Sequence, residues 1–436
     1  REAVALAPDG SVRVVRDDMP CANPITMHDG RLIAGECRPG GRIMELGLSG
    51  GAPRLILGDV PMPNAFAVGP DGKLYAPIMG VNEIWRIDLG SGAKETVAGD
   101  LGVPDSVKFD SKGFIVSTQV ASGQVLRIDP RSGARTVLAD LNDGLDNVTF
   151  VGERIFVSNI SGYVVEVLAG GATRNLVPDG FINPLGLAFD GAGELFVADG
   201  AFTYLIDKSG VRRRVAFLFT PGCPGYVRGV VSAGEGEWIV TTSLGQVARW
   251  RPAASKSEVI AEGYERLYGV ALAPGGAVVF ADAAGGRILS AGASGVETLA
   301  SGLAEPMGVA VGADGAVYAS EHQGGRVVRS LRGRKETLVD GLGRPQGVAL
   351  RDGALLVVDA GAKSLLSVDL ARGSRAVVAE ALPIGPPAGV TPKDLKAVPP
   401  LSGAMGPFAD VAVDASGVVY VGADAEGSVL RLSPRR

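Results

Sequence analysis

The chain has 436 residues, of which 46% are hydrophobic and 20% are charged, so it can build a sizeable buried core. Its net charge of −5 leaves no basic surplus to neutralise phosphates, which argues against a nucleic-acid partner. The longest apolar runs, such as Val215 to Phe219 and Ala354 to Val358, span about five residues, whereas a membrane-spanning helix needs roughly twenty. Composition therefore excludes a membrane-spanning helix.

Three cysteines cannot form a disulfide framework in a chain of this length. Cys21 and Cys37 can pair, which would leave Cys223 free, but the sequence does not decide this. The chain begins at Arg1 without a Met or an apolar leader, so either a signal peptide has been removed or the chain has been trimmed. We expect a secreted or periplasmic location rather than a cytoplasmic one.

One pattern recurs along the chain: a polar residue, a small residue, an apolar anchor, and then short alternating segments separated by turns rich in Gly and Asp. The anchors are Ile25, Phe66, Val107, Val148, Leu187, Val230, Val270, Val309, Val348 and Val411. Successive anchors lie about 40 residues apart, except that the last interval is longer. The regular spacing predicts ten copies of one structural unit.

Each unit reads as four short strands. Residues Gly308 to Leu338, for example, contain four β-rich segments separated by the turn sequences ADG, QGG and RGRK. Gly and Asp in these turns supply the positive φ that tight hairpins require. Because a single four-stranded meander cannot cover both of its faces, units of this size pack face to face as the blades of a propeller.

The sequence thus predicts an all-β fold, a β-propeller of about ten four-stranded blades. We favour a single wide ring, because the spacing is even and no linker divides the chain, over two smaller rings or a non-propeller β-solenoid. The last unit offers three strands, and Ser11 to Asp18 resembles the fourth strand Glu336 to Asp340. We therefore expect the N-terminal strand to complete the last blade and close the ring.

The long last interval contains an insertion at residues 382–406, between an outer strand and the next inner strand. Long loops on a rigid scaffold often act as lids over a functional site. The alternative is that the insertion covers an edge or contacts a second molecule.

The residue two positions before each anchor lies where an inner strand begins, on one face of the propeller. Around the chain these residues are Asn23, Asn64, Asp105, Asp146, Leu185, Arg228, Tyr268, Met307, Gln346 and Ala409. Neighbouring units in the first half bring together Asn64, Asp105 and either Asp146 or the adjacent Asn147, and we expect these residues to hold a metal ion. These oxygen donors suit Ca²⁺ ahead of Mg²⁺, and zinc least. The alternative is that they hydrogen-bond the backbone of the preceding loop.

The second half of the chain offers a different set of polar groups at the same strand ends. Arg228, Tyr268, Glu305 and Gln346 have the chemistry to bind a carboxylate, phenol or carbonyl of an organic ligand. Arg228 is equally compatible with a solvated position at the rim.

Several repeats resemble known propeller families. Glu305 to Arg329 and Arg344 to Asp359 resemble NHL-type repeats, and Asn183 to Asp199 resembles a unit of the senescence marker protein and gluconolactonase superfamily. In that superfamily Glu, Asn and Asp side chains hold a divalent ion, often calcium, and an Asp serves as general base. Asp105 in VPDSV and Asn147 in LDNV resemble two of its ligand positions. Asn183 joins the predicted substrate-binding residues.

His322 lies at the end of a second strand, on the predicted functional face. In a lyase related to these propellers a histidine performs base chemistry beside a divalent ion, and the resemblance implies such a role for His322. We count Asp105, His322 and Tyr268 as the catalytic candidates. Glu321 aligns with Asp199, Asp282 and Asp359, a repetition that indicates turn capping instead.

Two functions follow from these residues. The first is a divalent-metal-dependent hydrolase or lyase that acts on a small oxygen-rich molecule such as a lactone, in which Asp105 or His322 moves a proton. The second is a non-enzymatic scaffold that presents its rim and the 382–406 insertion to a protein or small ligand. We favour the enzyme.

Overall fold

The computed structural model describes residues 2–387, 389–390, 397 and 402–433. These residues form β-strands, turns and three short 3₁₀ segments at Met79–Val81, Ala169–Gly171 and Pro252–Ala254. No helix in the described ranges is long and apolar enough to cross a membrane. The predicted all-β, multi-bladed propeller is confirmed, and the chain divides into two compact units, Arg1–Gly180 and Phe181–Arg436.

The first unit contains one two-stranded sheet, β1–β2, and four four-stranded antiparallel sheets, β3–β6, β7–β10, β11–β14 and β15–β18. The strands are β1 Ala3–Leu6, β2 Val12–Arg16, β3 Ala22–His28, β4 Arg31–Glu36, β5 Gly41–Leu46, β6 Arg54–Val60, β7 Ala67–Val68, β8 Leu74–Ile78, β9 Glu83–Ile87, β10 Lys94–Ala98, β11 Pro104–Phe109, β12 Ile115–Gln119, β13 Gln124–Ile128, β14 Arg135–Asp140, β15 Leu145–Val151, β16 Arg154–Asn159, β17 Val164–Val167 and β18 Thr173–Val177.

The second unit contains five four-stranded antiparallel sheets, β19–β22, β23–β26, β27–β30, β31–β34 and β35–β38, and a three-stranded sheet, β39–β41. The strands are β19 Pro184–Phe189, β20 Leu195–Asp199, β21 Phe202–Ile206, β22 Arg212–Phe217, β23 Val227–Gly234, β24 Glu237–Thr242, β25 Val247–Arg251, β26 Lys256–Ala261, β27 Leu267–Leu272, β28 Val278–Asp282, β29 Arg287–Gly292, β30 Gly295–Ala300, β31 Pro306–Val311, β32 Val317–Glu321, β33 Arg326–Leu331, β34 Arg334–Val339, β35 Pro345–Arg351, β36 Ala354–Asp359, β37 Ser364–Asp369, β38 Arg375–Ala379, β39 Val411–Val413, β40 Val419–Ala423 and β41 Ser428–Leu432.

Each of the ten anchors lies in, or directly before, the innermost strand of its sheet. Nine of them are buried between neighbouring blades, whereas Ile25 in the first blade is 55% exposed. The turns form as their sequences indicate. Asp110, for example, accepts hydrogen bonds from the backbone N–H groups of Lys112 and Phe114 at 2.9 Å each, while Gly113 supplies a φ of +81°. Periodic apolar residues and turn chemistry therefore place the blades.

The single ten-bladed ring is wrong, because the second unit closes on itself. Strand β19 contacts both β39 and β40, so its first and last blades are neighbours. The N–H of Phe181 donates to the carbonyl of Gly427 at 3.0 Å, and the N–H of Leu187 donates to Oδ2 of Asp410 at 3.1 Å. The second unit is therefore a closed ring of six blades.

A row of glycines accompanies this closure. In the second unit the residue before the anchor is Gly186, Gly229, Gly269, Gly308 and Gly347 in five successive blades, and Asp410 in the sixth. A Cβ at any of the five glycines would lie 2.2 to 2.7 Å from a backbone atom of the next inner strand. The first unit carries Pro24, Ala65, Ser106 and Asn147 at this position. The change in residue type marks the boundary between the units.

The predicted closure of the last blade by the N-terminal strand is also wrong. Strand β2 pairs antiparallel with β1, with Val4 opposite Val14 and Leu6 opposite Val12. The turn between these strands is held by the N–H of Ala7, which donates to the carbonyl of Ser11 at 2.9 Å. The local hairpin prevails because its short loop loses far less conformational entropy on closing than a pairing across the whole chain would.

The 382–406 insertion is described at residues 382–387, 389–390, 397 and 402–406. At its start, Leu382 and Ile384 are buried in one hydrophobic cluster with Val411. At its end, the N–H of Gly403 donates to Oγ of Ser243 at 3.1 Å. The start of the insertion therefore packs against the fifth and sixth blades of the second unit, and its end contacts the second blade.

Candidate functional site

In the first unit, irregular starts of the inner strands position the predicted metal ligands. The β11–β12 register shifts between Pro104 and Val107, and the β15–β16 register shifts between Leu145 and Val148. A bulge of this kind removes the intervening residues from the regular ladder and redirects their side chains. Asp105 and Asp146 occupy these two bulges.

The side chains at these strand starts form one hydrogen-bonded series, which we call the inner polar row: Asn23, Asn64, Asp105 and Asp146. Nδ2 of Asn23 donates to Oδ1 of Asn64 at 2.7 Å, and Nδ2 of Asn64 donates to Oδ1 of Asp105 at 2.5 Å. The carboxyl groups of Asp105 and Asp146 also share a hydrogen bond. The structure therefore brings Asn64, Asp105 and Asp146 together, as the sequence predicts.

Asp105 is the most perturbed acid of this row. Its residue is only 5% exposed, and burial raises the pKa of its carboxyl well above the usual value. The nearby charge of Asp146 and the hydrogen bond between the two carboxyls raise this pKa further. Asp105 consequently keeps its proton at pH values where a surface aspartate is ionised.

Hydroxyl groups hold the two inner strands that carry these acids. Oγ1 of Thr118 donates to the carbonyl of Asp146 and lies 3.0 Å from Oγ of Ser106. Oγ of Ser106 in turn accepts a hydrogen bond from the N–H of Val148 at 3.0 Å. The acids are therefore fixed by interactions between blades as well as by their own strands.

Asn147 does not join the inner polar row. Its side chain is exposed, and its backbone N–H donates to Oγ of Ser158 at 3.1 Å. Of the two alternatives that the sequence left at this position, Asp146 is the one that reaches Asp105.

Cys37 is a neighbour of the row that the sequence analysis did not identify. Burial raises the pKa of the Cys37 thiol to about 11, with Asp105 adding to the shift and a hydrogen bond from Asn23 opposing it. The thiol is therefore protonated at neutral pH. Its N–H donates to the carbonyl of Cys21 at 2.9 Å, and both thiols are free. The sequence feature that could have identified Cys37 as a neighbour of the row is its position directly after strand β4, beside Asn23.

The second unit fills the corresponding positions with a packed interior, which we call the inner apolar cluster: Leu185, Tyr268, Met307 and Phe408, with Arg228 against it. The rings of Tyr268 and Phe408 are 5.5 Å apart, and the guanidinium of Arg228 lies 4.9 Å from the centre of the Tyr268 ring. Arg228 also donates to the carbonyl of Leu267 at 3.0 Å and to that of Ala404 in the insertion.

This packing corrects the predicted substrate rim. Arg228, Tyr268 and Gln346 are buried rather than at an open rim. Oε1 of Gln346 accepts a hydrogen bond from the N–H of Ala409 at 2.6 Å. A ligand could reach these groups only if the end of the insertion moved away from Arg228.

The remaining predicted substrate residues have structural partners. Oε1 of Glu305 accepts a hydrogen bond from Arg266 at 2.9 Å, and the backbone N–H of Asn183 donates to Asp199 at 2.6 Å. Glu305 lies on the same blade as His322, whose N–H donates to the Glu305 carbonyl at 3.0 Å.

His322 is partly buried beside Glu305, Arg344 and Asp359. Burial lowers the pKa of its imidazole, while the charge of Glu305 opposes the shift. Nδ1 of this ring is buried and makes no hydrogen bond within the described structure. The histidine is therefore a neutral side chain at pH 7, held in the second unit.

The predicted turn-capping role of the acids at the ends of the second strands is confirmed. Glu321 accepts a hydrogen bond from the N–H of Ala304 at 2.7 Å, and Asp359 accepts from those of Gly343 and Arg344 at 2.8 Å each. Glu321 and Asp359 thus fix the loop that enters the inner strand of their blade. Asp282 instead accepts from the N–H of Gly285, in the turn that follows its own strand.

The inner polar row offers oxygen donors of the kind that hard cations prefer. Oδ1 of Asn64 already accepts hydrogen bonds from Asn23 and from the N–H of Ala65, at 2.7 and 2.9 Å. The carboxyls of Asp105 and Asp146 are thus the groups most available to a cation. Across the described ranges, no three His, Cys, Asp or Glu side chains are grouped as a metal site.

Comparisons with known proteins give only distant likenesses. No protein-family profile matches the sequence, and no curated protein matches it. A catalytically inactive virginiamycin B lyase from Staphylococcus aureus with quinupristin is 15% identical, with 68% of this chain and 90% of that chain covered and a TM-score of 0.35. A streptogramin B lyase is 13% identical over 85% and 93%, with a TM-score of 0.28.

The nidogen and laminin complex contains a chain that is 20% identical to this one, with 55% of this chain and 96% of that chain covered and a TM-score of 0.31. Likenesses of this strength say nothing about activity. The propeller assignment therefore rests on the sheets themselves, namely successive antiparallel meanders in two units and ring closure in the second.

Proposed function

We propose that the inner polar row is the functional centre of this protein, and that the protein is a divalent-cation-dependent hydrolase or lyase acting on a small oxygen-rich molecule such as a lactone. The observation that carries this proposal is the buried carboxyl of Asp105, which accepts a hydrogen bond from Asn64 and lies beside Asp146. An acid whose pKa is displaced by burial and a neighbouring charge is typical of sites that move protons. The proposed cation is Ca²⁺ ahead of Mg²⁺.

The chain's own contribution is the carboxyl of Asp105, which moves a proton. In the hydrolysis of a lactone, water adds to the carbonyl carbon, the bond from that carbon to the ring oxygen breaks, and the ring oxygen takes up a proton. Once a cation had displaced its proton, the carboxylate of Asp105 would take a proton from the attacking water and return it to the ring oxygen. The product is the open hydroxy acid.

Asn23 and Asn64 orient Asp105. Since Nδ2 of Asn64 donates to Oδ1 of Asp105, it fixes the orientation of the carboxyl beside Asp146. A divalent cation held by Asp105 and Asp146 would polarise the substrate carbonyl when bound. The cation would have to displace the proton of Asp105, so we expect cation affinity to fall as the pH is lowered.

Calcium titration of the intact protein tests this proposal. We expect one Ca²⁺ per chain by isothermal titration calorimetry at pH 8, at least tenfold weaker binding at pH 6, and loss of binding in Asp105→Asn. Glu153→Gln, an exposed acid of the same unit, is the matched control and should bind as the unchanged protein does. Hydrolysis of five- and six-membered sugar lactones, followed by pH-stat, should be lost in Asp105→Asn only.

Two results would count against the proposal. Calcium binding that persists in Asp105→Asn would place the cation elsewhere. Absence of both binding and lactone turnover in the folded protein would favour the second function, a non-enzymatic propeller that binds a protein or small ligand. The observation that supports this alternative is the sealed interior of the second unit, where Arg228 is bonded to the insertion.

A further inference from the structure

Two cysteines lie opposite each other at the start of the first blade. Strands β3 and β4 pair antiparallel with Ala22 opposite Glu36, so the next positions outward, Cys21 and Cys37, also face each other. The N–H of Cys37 donates to the carbonyl of Cys21 at 2.9 Å, which extends the pairing to these two residues. Both thiols are free in this structure. The backbone therefore holds the two cysteines together before any bond joins their sulfurs.

The spacing of directly opposite residues suits a disulfide. In an antiparallel pair such residues have Cα atoms about 4.5–5.5 Å apart, and disulfides bridge Cα atoms that are about 4.4–6.8 Å apart. The thiol of Cys21 is also close enough to contribute to the raised pKa of the Cys37 thiol. A bond between the two sulfurs is therefore compatible with the pairing of β3 and β4.

The third cysteine of the chain has a different environment. Cys223 belongs to the second unit, which contains no other cysteine, and its thiol donates to the carbonyl of Gly225 at 3.7 Å. Cys21, Cys37 and Cys223 are all partly exposed, so a small oxidant can reach each of them. Only Cys21 and Cys37 are placed to bond to each other, and Cys223 is a matched control for them.

The position of the pair connects it to the inner polar row. Asn23 follows Cys21 by two residues, and its side chain hydrogen-bonds the thiol of Cys37. Nδ2 of Asn23 also donates to Oδ1 of Asn64 at 2.7 Å. Asp105, which accepts a hydrogen bond from Asn64, acts through its charge on the same thiol. The reduced thiol of Cys37 therefore continues the inner polar row beyond Asn23.

We propose that Cys21 and Cys37 are a redox-sensitive modification site, which forms a disulfide across β3 and β4 and thereby removes a thiol from the inner polar row. The oxidant is a small disulfide such as glutathione disulfide. The bond between the two Sγ atoms forms and the S–S bond of the oxidant breaks. The two cysteines lose two electrons, and the oxidant leaves as two thiols that carry the two protons.

The hydrogen bond from Asn23 couples the redox state of the pair to the row. This bond stabilises the dithiol form, because the sulfur of Cys37 is drawn towards Cys21 when the disulfide forms. A group that favours one of two states is itself affected by the change of state, by the same free energy. Removing the side chain of Asn23 should therefore favour the disulfide, and formation of the disulfide should release Asn23 from Cys37.

Titration of the intact protein with mixtures of reduced and oxidised glutathione at pH 8.5 tests the proposal. The disulfide fraction is read by mass spectrometry after acid quenching, alkylation and digestion. We expect one intramolecular disulfide between Cys21 and Cys37, lost in Cys21→Ser and kept in Cys223→Ser. Asn23→Ala should reach half-oxidation at about three- to tenfold less glutathione disulfide, since one neutral hydrogen bond to the dithiol form is removed. Asn175→Ala, at an exposed position of the same unit, should leave this midpoint unchanged.

Several results would overturn the proposal. Cys21 and Cys37 could stay reduced over the whole series, carry glutathione singly, or form disulfides only between two molecules. An unchanged midpoint in a folded Asn23→Ala protein would overturn the connection to the inner polar row. Because the measurement involves neither a cation nor a substrate, its outcome is independent of whether the row binds calcium.

Discussion

The two units of this protein carry opposite chemistry at the same position of their inner strands. In the first unit the residue two before the anchor is polar in every blade and joins a hydrogen-bonded row, in which Asn64 and Asp105 are buried. In the second unit the same position supplies Leu185, Tyr268 and Met307 to a packed cluster. Buried polar side chains cost free energy unless they are hydrogen-bonded, whereas a packed apolar cluster stabilises the fold. This difference is the reason that we propose the chemistry in the first unit.

The largest expected effect is a loss of stability in the second unit, caused by a change in its inner apolar cluster. Phe408→Ala should lower the free energy of unfolding of the second unit by about 3–5 kcal/mol, because it removes a fully buried ring and leaves a cavity against Tyr268. Urea denaturation followed by tryptophan fluorescence measures this, since Trp238 and Trp250 lie in the same cluster. Asn64→Ala should lower the free energy of unfolding of the first unit by only about 1–3 kcal/mol. Equal losses would mean that the polar row is as structural as the cluster.

The next effect concerns Asp410, which closes the second ring. Burial raises the pKa of its carboxyl to about 7, although the N–H of Leu187 donates to it. Because the unfolded chain releases this proton near pH 4 and the folded chain near pH 7, stability falls as the pH rises through that interval, by about 3–4 kcal/mol in total.

Thermal unfolding between pH 4.5 and 8 tests this. Asp410→Asn keeps an acceptor for Leu187 and should lose less stability on raising the pH than the unchanged protein does. Asp414→Asn is a control for the opposite pH dependence. Hydrogen bonds within its turn lower the pKa of Asp414, so the stability that this carboxylate contributes is lost as the pH falls. A parallel pH dependence in Asp410→Asn and the unchanged protein would contradict the assignment.

The smallest expected effect concerns the glycines before the anchors, which distinguish the second unit from the first. Gly308→Ala should destabilise the second unit by about 1–3 kcal/mol, since the added Cβ would lie 2.2 Å from the carbonyl oxygen of Gln346. Gly275→Ala, where nothing lies within 4 Å of the added carbon, should change stability by less than about 0.5 kcal/mol. Calorimetric melting of both variants measures the difference. A tolerated Gly308→Ala would show that the inner strands can separate without loss.

Prediction from sequence succeeded where the signal was local and repeated. The anchors and turns placed the blades, and the acids at the second-strand ends were recognised as caps. Asn64, Asp105 and Asp146 were predicted to meet, because equivalent positions on adjacent inner strands must be neighbours. Asn147 was misplaced because the direction of a side chain within a bulge depends on which backbone groups pair.

The sequence alone determined that this protein is built of antiparallel meanders and that polar inner residues collect in its first half. Tertiary structure alone decided that six blades close on themselves, that Arg228 and Tyr268 are interior, and that β2 pairs with β1. The physical reason is that periodicity and turn residues act within about ten residues of chain, whereas ring closure depends on how closely inner strands approach. Side-chain burial depends on which segment, here the end of the insertion, covers a face.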